Sequence, residues 1–141
     1  MYSDKISQAQ DLIELRPELM EERPIYESIL QFYSDTALIE TQIADLKALL
    51  SHKKIELYKV KAKSFKECIY NLLDEHPEVT ASKGMLRFYE VANLDWVECE
   101  KAEIIFGDAL TLDVYDWKPD AWTVFEKESG EIELTVVAAA W

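Results

Sequence analysis

Glycine is scarce in this chain. There are 3 in 141 residues, Gly84, Gly107 and Gly130, and each stands alone. A loop that cradles phosphate needs clustered glycines so that backbone amides can approach the ligand. P-loop and dinucleotide-binding readings are therefore excluded. Histidine is scarcer still. Neither His52 nor His76 has a second His or a Cys at ligand spacing. Cys68 and Cys99 form no C-x-x-C pair, which suits two free thiols in a reducing compartment. No G-x-S-x-G, H-E-x-x-H or kinase signature occurs. With 4 Pro and no biased tract, collagen-like and low-complexity readings fail as well. The longest apolar run, Val136 to Trp141, is far short of the ~20 residues of a membrane helix. Met1 to Lys5 has neither a basic start nor an apolar core, so no signal peptide is expected. These absences predict a soluble, cytoplasmic, non-catalytic protein with no metal and no cofactor.

Basic residues are also in short supply. Lys and Arg number 15 against 28 Asp and Glu, a net charge of −13 and a pI near 4.5. Phosphate binding needs Lys and Arg to release counterions. Direct nucleic-acid binding and anionic membranes are therefore excluded as partners, and a basic protein is the electrostatic match. The six lysines Lys53, Lys54, Lys59, Lys61, Lys63 and Lys66 are read as a solvated face or as mates for acids.

Apolar residues are present in strength. Leu, Ile, Val and Phe make up 40 of 141 residues, enough for a core. Ser3 to Arg16 reads as a short helix ended by Pro17, and Pro24 suits the first turn of the next. From there Ile25, Ile29, Phe32, Thr36, Ile39, Ile43, Leu46, Leu50, Lys53, Leu57 and Val60 recur in alternating steps of 4 and 3. That is a coiled-coil-like heptad seam. After Val60 the phase slips, and a new stripe runs through Tyr58, Ala62, Phe65, Ile69, Leu72 and His76. A straight helix from 25 to 60 would be about 54 Å long. A domain of this size has a radius of gyration of only about 14 Å. The seam thus predicts either one long helix covered by another chain or a hairpin reversing near Ser51–His52. In the first case Ile29, Phe32, Ile39, Ile43, Leu46 and Leu50 form a homo-oligomer interface.

Pro77 ends the helical region, and the period changes after Gly84. Met85–Val91, Ile104–Phe106, Leu110–Val114, Trp122–Val124 and Ile132–Val136 read as strands. Gly107-Asp108 serves as a hairpin loop, Trp117 to Asp120 as a proline turn, and Ser129-Gly130 as the last connection. Asn93 to Ala102 could be helical. The expected fold is α+β: residues 1–76 helical, 77–84 a connector, and 85–141 a four- or five-stranded antiparallel sheet.

Asp108, Asp113, Asp116 and Asp120 lack the spacing of a calcium loop. Acids and aromatics do crowd together late in the chain, and such residues anchor and steer protein contacts. The expected partner-binding set is Asp113, Tyr115, Asp116, Trp117, Asp120, Trp122, Glu131 and Glu133. The favoured function is an acidic inhibitor or adaptor docking on a basic, perhaps nucleic-acid-binding, surface of a partner. A helical seam followed by a small acidic sheet resembles small phage and bacterial accessory proteins at the level of architecture. The alternatives are a structural homo-oligomer, and a small-molecule-binding protein or enzyme with its site between subunits.

Overall fold

The computed structural model describes residues 4–110 and 120–140. Four short helices come first: α1 (Asp4–Glu14), α2 (Pro17–Glu21), α3 (Arg23–Phe32) and α4 (Ile43–Leu49). Then follow β1 (Lys54–Ala62), α5 (Phe65–Glu75), a 3₁₀ turn (Pro77–Ala81), β2 (Gly84–Val91), α6 (Trp96–Ala109), β3 (Asp120–Glu126) and β4 (Ile132–Ala140). The strands form one sheet in the order β1-β4-β2-β3.

The class is α+β, but neither form of the long helical seam exists. Residues 25–76 divide into α3, α4, β1 and α5. The break after Phe32 falls on Ser34, Asp35 and Thr36, weak helix formers whose side chains compete for backbone bonds. Leu50 closes α4, and the chain turns at Ser51–His52 into a strand rather than a second helix.

Seam residues are consumed inside the chain. Ile29, Phe32, Leu46 and Leu50 are buried in one core layer; Ile43 is half-buried against that layer and Ile39 against the other. Each such apolar side chain contributes on the order of 1.5–3 kcal/mol when covered. The stripe is therefore largely taken up by contacts within this chain.

The sheet is mixed, not antiparallel. β4 runs antiparallel to both β1 and β2, while β2 and β3 are parallel and joined through α6. Parallel neighbours need such a crossover, which a hairpin cannot supply. The expected strand at Ile104–Phe106 is helical, and Gly107-Asp108 lies in the last turn of α6. The strand expected at Leu110–Val114 and the turn beginning at Trp117 fall largely outside the described residues. Ser129-Gly130 does connect β3 to β4, with Gly130 at φ +100°, but the two strands flank β2 instead of pairing. β1, within residues 1–76, is zipped along β4, within residues 85–141.

Helices cover both faces. On one face Ile13, Ile29, Phe32, Leu46 and Leu49 pack on Leu86, Phe88, Phe125 and Val137. On the other, Cys68, Ile69 and Leu72 of α5 and Cys99, Ala102 and Phe106 of α6 pack on Tyr89, Val124, Leu134 and Val136. This explains why β4 has no wet face from Leu134 to Ala139: it is a central strand buried on both sides. Among the described residues no helix is long and apolar enough to cross a membrane.

Candidate protein-docking surface

α6 begins where Asp95 caps it, its carboxylate accepting from the Glu98 amide at 3.2 Å. Its inner side carries Cys99, Ala102 and Phe106, which are wholly buried. Glu103 lies on that same side and reaches β2. There Arg87, only 3% exposed, donates from Nε to Glu103 Oε2 at 3.2 Å and from Nη2 to Oε1. Arg87 Nη1 donates to Asp120 at the start of β3. Tyr89 Oη donates to Glu103 Oε2 at 2.5 Å, and the guanidinium lies 4.6 Å from the Phe106 ring centroid.

Electrostatics follows from this geometry. Burial alone would disfavour the charged guanidinium, but Glu103 and Asp120 outweigh it and hold its pKa above the usual arginine value. Burial pushes the Tyr89 phenol well above its usual range, and the Glu103 carboxylate adds to the rise. The cluster is therefore a fixed ionic clasp between helix and sheet. It fixes the rotation of α6 about its axis.

That rotation decides what α6 shows to solvent. Val97 and Ile104, seven residues apart on one helical stripe, are 61% and 65% exposed, and Trp96 is 42% exposed. Glu100, Lys101 and Asp108 surround them as exposed charges. Tyr70 on the adjoining α5 is exposed too. Apolar residues therefore lie on the outer side of α6 as well as on its inner side. In the sequence the signal for this side is Val97-x6-Ile104, which emerges only once Ile104–Phe106 is placed in a helix rather than in the expected strand.

The described members of the expected partner-binding set are spread over the sheet. Asp113, Tyr115, Asp116 and Trp117 lie outside the described residues. Asp120 is engaged by Arg87. Trp122 packs edge-on against Tyr89, with ring centroids 6.3 Å apart. Glu133 is half-buried between Lys61 on β1 and Glu90 on β2, and Glu131 is exposed just before β4. Asp120 pairs with Met85, which pairs with Ala138, so Asp120 and Glu131 sit at opposite ends of the sheet. At about 3.4 Å per residue they are about 24 Å apart.

A cleft of about 510 Å³ beside the α3–α4 loop is lined by Lys5, Tyr33, Asp35, Leu38 and Glu40 among others. Lys5 and Glu40 form an ion pair there at 3.4 Å. Tyr33 is spent on a hydrogen bond to the Gln42 carbonyl at 3.2 Å. Among the described residues no group of three His, Cys, Asp or Glu is placed to hold a metal ion.

Neither a protein-family model nor a curated protein sequence matches the chain. Among solved structures it is similar to TubZ of Bacillus thuringiensis serovar israelensis in GDP-form protofilaments, at 13% identity and a TM-score of 0.44. The likeness covers 94% of this chain and 39% of that one, so the chain spans about two-fifths of its neighbour's length.

Proposed function

We propose that the protein is a non-catalytic, cytoplasmic binding module that docks through the outer side of α6 onto a basic partner protein, as an inhibitor or adaptor. One observation carries this reading. Trp96, Val97 and Ile104 stand exposed on a helix whose inner side is clasped to the sheet. A rigid helix side with an aromatic anchor and a polar rim has the anatomy of an interface centre. Charge indicates the partner. Asp95, Glu98, Glu100 and Asp108 outnumber Lys101 on and beside this helix, within a chain of net charge −13. Acids at a rim steer a basic partner and leave the apolar centre to hold it.

The test is comparative capture from source lysate by wild type and by Ile104→Asp, at low and high salt. The reading expects a basic protein retained by wild type, released by salt, and lost with Ile104→Asp, whose melting temperature should stay within a degree or two of wild type. If both proteins retain the same material, α6 is not the docking side.

A further inference from the structure

The order β1-β4-β2-β3 leaves two sheet edges, and they are finished differently. The β3 edge is covered by the loop before α4. The Leu38 amide donates to the Val124 carbonyl at 2.9 Å, and Thr123 Oγ1 both donates to the Ile39 carbonyl and accepts from its amide. At the β1 edge, among the described residues, no backbone hydrogen bond links Lys54 to Lys61 with anything beyond β4. β1 is 9 residues long, against a usual strand of about 5–6. An open edge of that length is a template for another strand.

The charge on this edge is opposite to that of the chain. Six of the 15 Lys and Arg lie between Lys53 and Lys66, and Glu56 is the one acid among them. Lys59 and Lys61 are exposed and share one face of the sheet, two residues apart. On the β4 side, Lys61 already stands opposite a carboxylate, Glu133. The outer side repeats the same backbone geometry, with no strand paired to it among the described residues.

We propose that the outer edge of β1 receives an acidic, extended peptide segment of another protein by strand addition, its alternate carboxylates set against Lys59 and Lys61. Side chains repeat on one face every two residues, so acids at i and i+2 meet both lysines. The peptide backbone takes up the free amides and carbonyls of β1. Edge lysines are a common guard against unwanted pairing, and here they act as a filter: a neutral or basic strand is turned away and an acidic one is admitted. A second copy is a poor match, because antiparallel β1–β1 pairing over the whole strand sets Lys59 against Leu57 and Lys61 against Ile55 and gives neither lysine a carboxylate. A nucleic acid would find the lysines but would leave the backbone groups of the edge unmet. This site is separate from the α6 surface and does not rest on it.

The probe is a fluorescein-labelled octapeptide of alternating Val and Glu, with an alternating Val and Lys octapeptide and oligothymidylate as controls. Anisotropy should show saturable, salt-sensitive binding of the Glu peptide alone. Amide exchange on wild type should slow at alternate residues of β1 and nowhere on α6. Lys59→Glu with Lys61→Glu should weaken binding at least tenfold; if that pair unfolds the chain, Lys59→Ala with Lys61→Ala should weaken it severalfold. Three results would overturn the proposal: no binding, binding without added protection in β1, or oligothymidylate binding as tightly as the Glu peptide.

Discussion

Glu103 of α6 accepts hydrogen bonds from two nitrogens of Arg87 on β2, one of them Nε at 3.2 Å. The next residue, Ile104, is 65% exposed. A buried ion pair adds little net stability over apolar residues, but removing one partner leaves an uncompensated charge that costs about 3–5 kcal/mol. Glu103→Ala leaves Arg87 with Asp120 alone, so it should lower unfolding free energy by up to about that amount in urea titrations. Arg87→Met combined with Glu103→Leu should recover much of the loss. If Glu103→Ala costs under about 1 kcal/mol, the clasp is solvated and does not hold α6.

Arg16 plays a smaller part at the opposite face. Its guanidinium donates to the carbonyls of Leu50 at 3.0 Å, His52, and Lys53 at 2.6 Å. These carbonyls follow the end of α4, where helical partners have run out. Arg16→Ala should cost about 1–3 kcal/mol. Arg16→Lys should recover little of it, since an ammonium cannot copy the planar fork. A melting temperature for Arg16→Lys equal to wild type would refute this.

Thr135 on β4 is 1% exposed, and its Oγ1 has no hydrogen-bond partner among the described residues. Desolvating a hydroxyl without compensation costs about 1–3 kcal/mol. Thr135→Val keeps the shape and removes that cost, so stability should rise by about 1 kcal/mol. A fall in the urea midpoint would mean that the hydroxyl is satisfied in solution.

The covered seam makes its own prediction. Because Ile29, Phe32 and Leu46 lie in the interior, the protein alone should sediment as a monomer of 16.4 kDa. Leu46→Asp should unfold that monomer rather than dissociate an oligomer. A wild-type dimer that Leu46→Asp converts into folded monomers would restore the seam as an interface.

The heptad pattern was sound as a map of burial and misleading as a map of helix. Ile29, Phe32 and Leu46 are core residues, as a stripe demands. β1 escaped notice because its two ends are covered on opposite faces. Ile55 faces the α3 layer and Val60 faces the α5 layer. A strand with that phase change imitates a 4-3 repeat. The alternation Val60-Lys61-Ala62-Lys63 was legible, and so was the capping signature Ser64-x-x-Glu67, where Ser64 Oγ accepts from the Glu67 amide at 3.2 Å. That signature lay inside the supposed long helix and argued for a break. Asp95-x-x-Glu98 marks the start of α6 in the same way. The mixed sheet was not legible, because strand order rests on which distant segments pair. The clasp was beyond reach for the same reason: Arg87, Glu103 and Asp120 meet only once the β2-α6-β3 crossover has formed.

The two thiols give a pH test. Cys68 and Cys99 are wholly enclosed between α5, α6 and the sheet, and burial pushes each pKa from about 9 up to about 12. Between those values the unfolded chain has lost protons that the folded chain still holds. The thiol contribution to stability is therefore whole below pH 9 and is lost as pH climbs toward 12. Each thiol can steepen the decline by up to about 1.4 kcal/mol per pH unit in that window. The comparison that isolates the thiols is with Cys68→Ala combined with Cys99→Ala. That variant will start less stable, but its stability should fall less steeply from pH 9 to pH 11. Native protein at pH 8 should also resist a thiol-specific disulfide reagent that labels both cysteines in urea. Parallel pH slopes for variant and wild type, or rapid labelling of the native protein, would show that these thiols ionise in the folded state and that the α5–α6 layer opens to solvent.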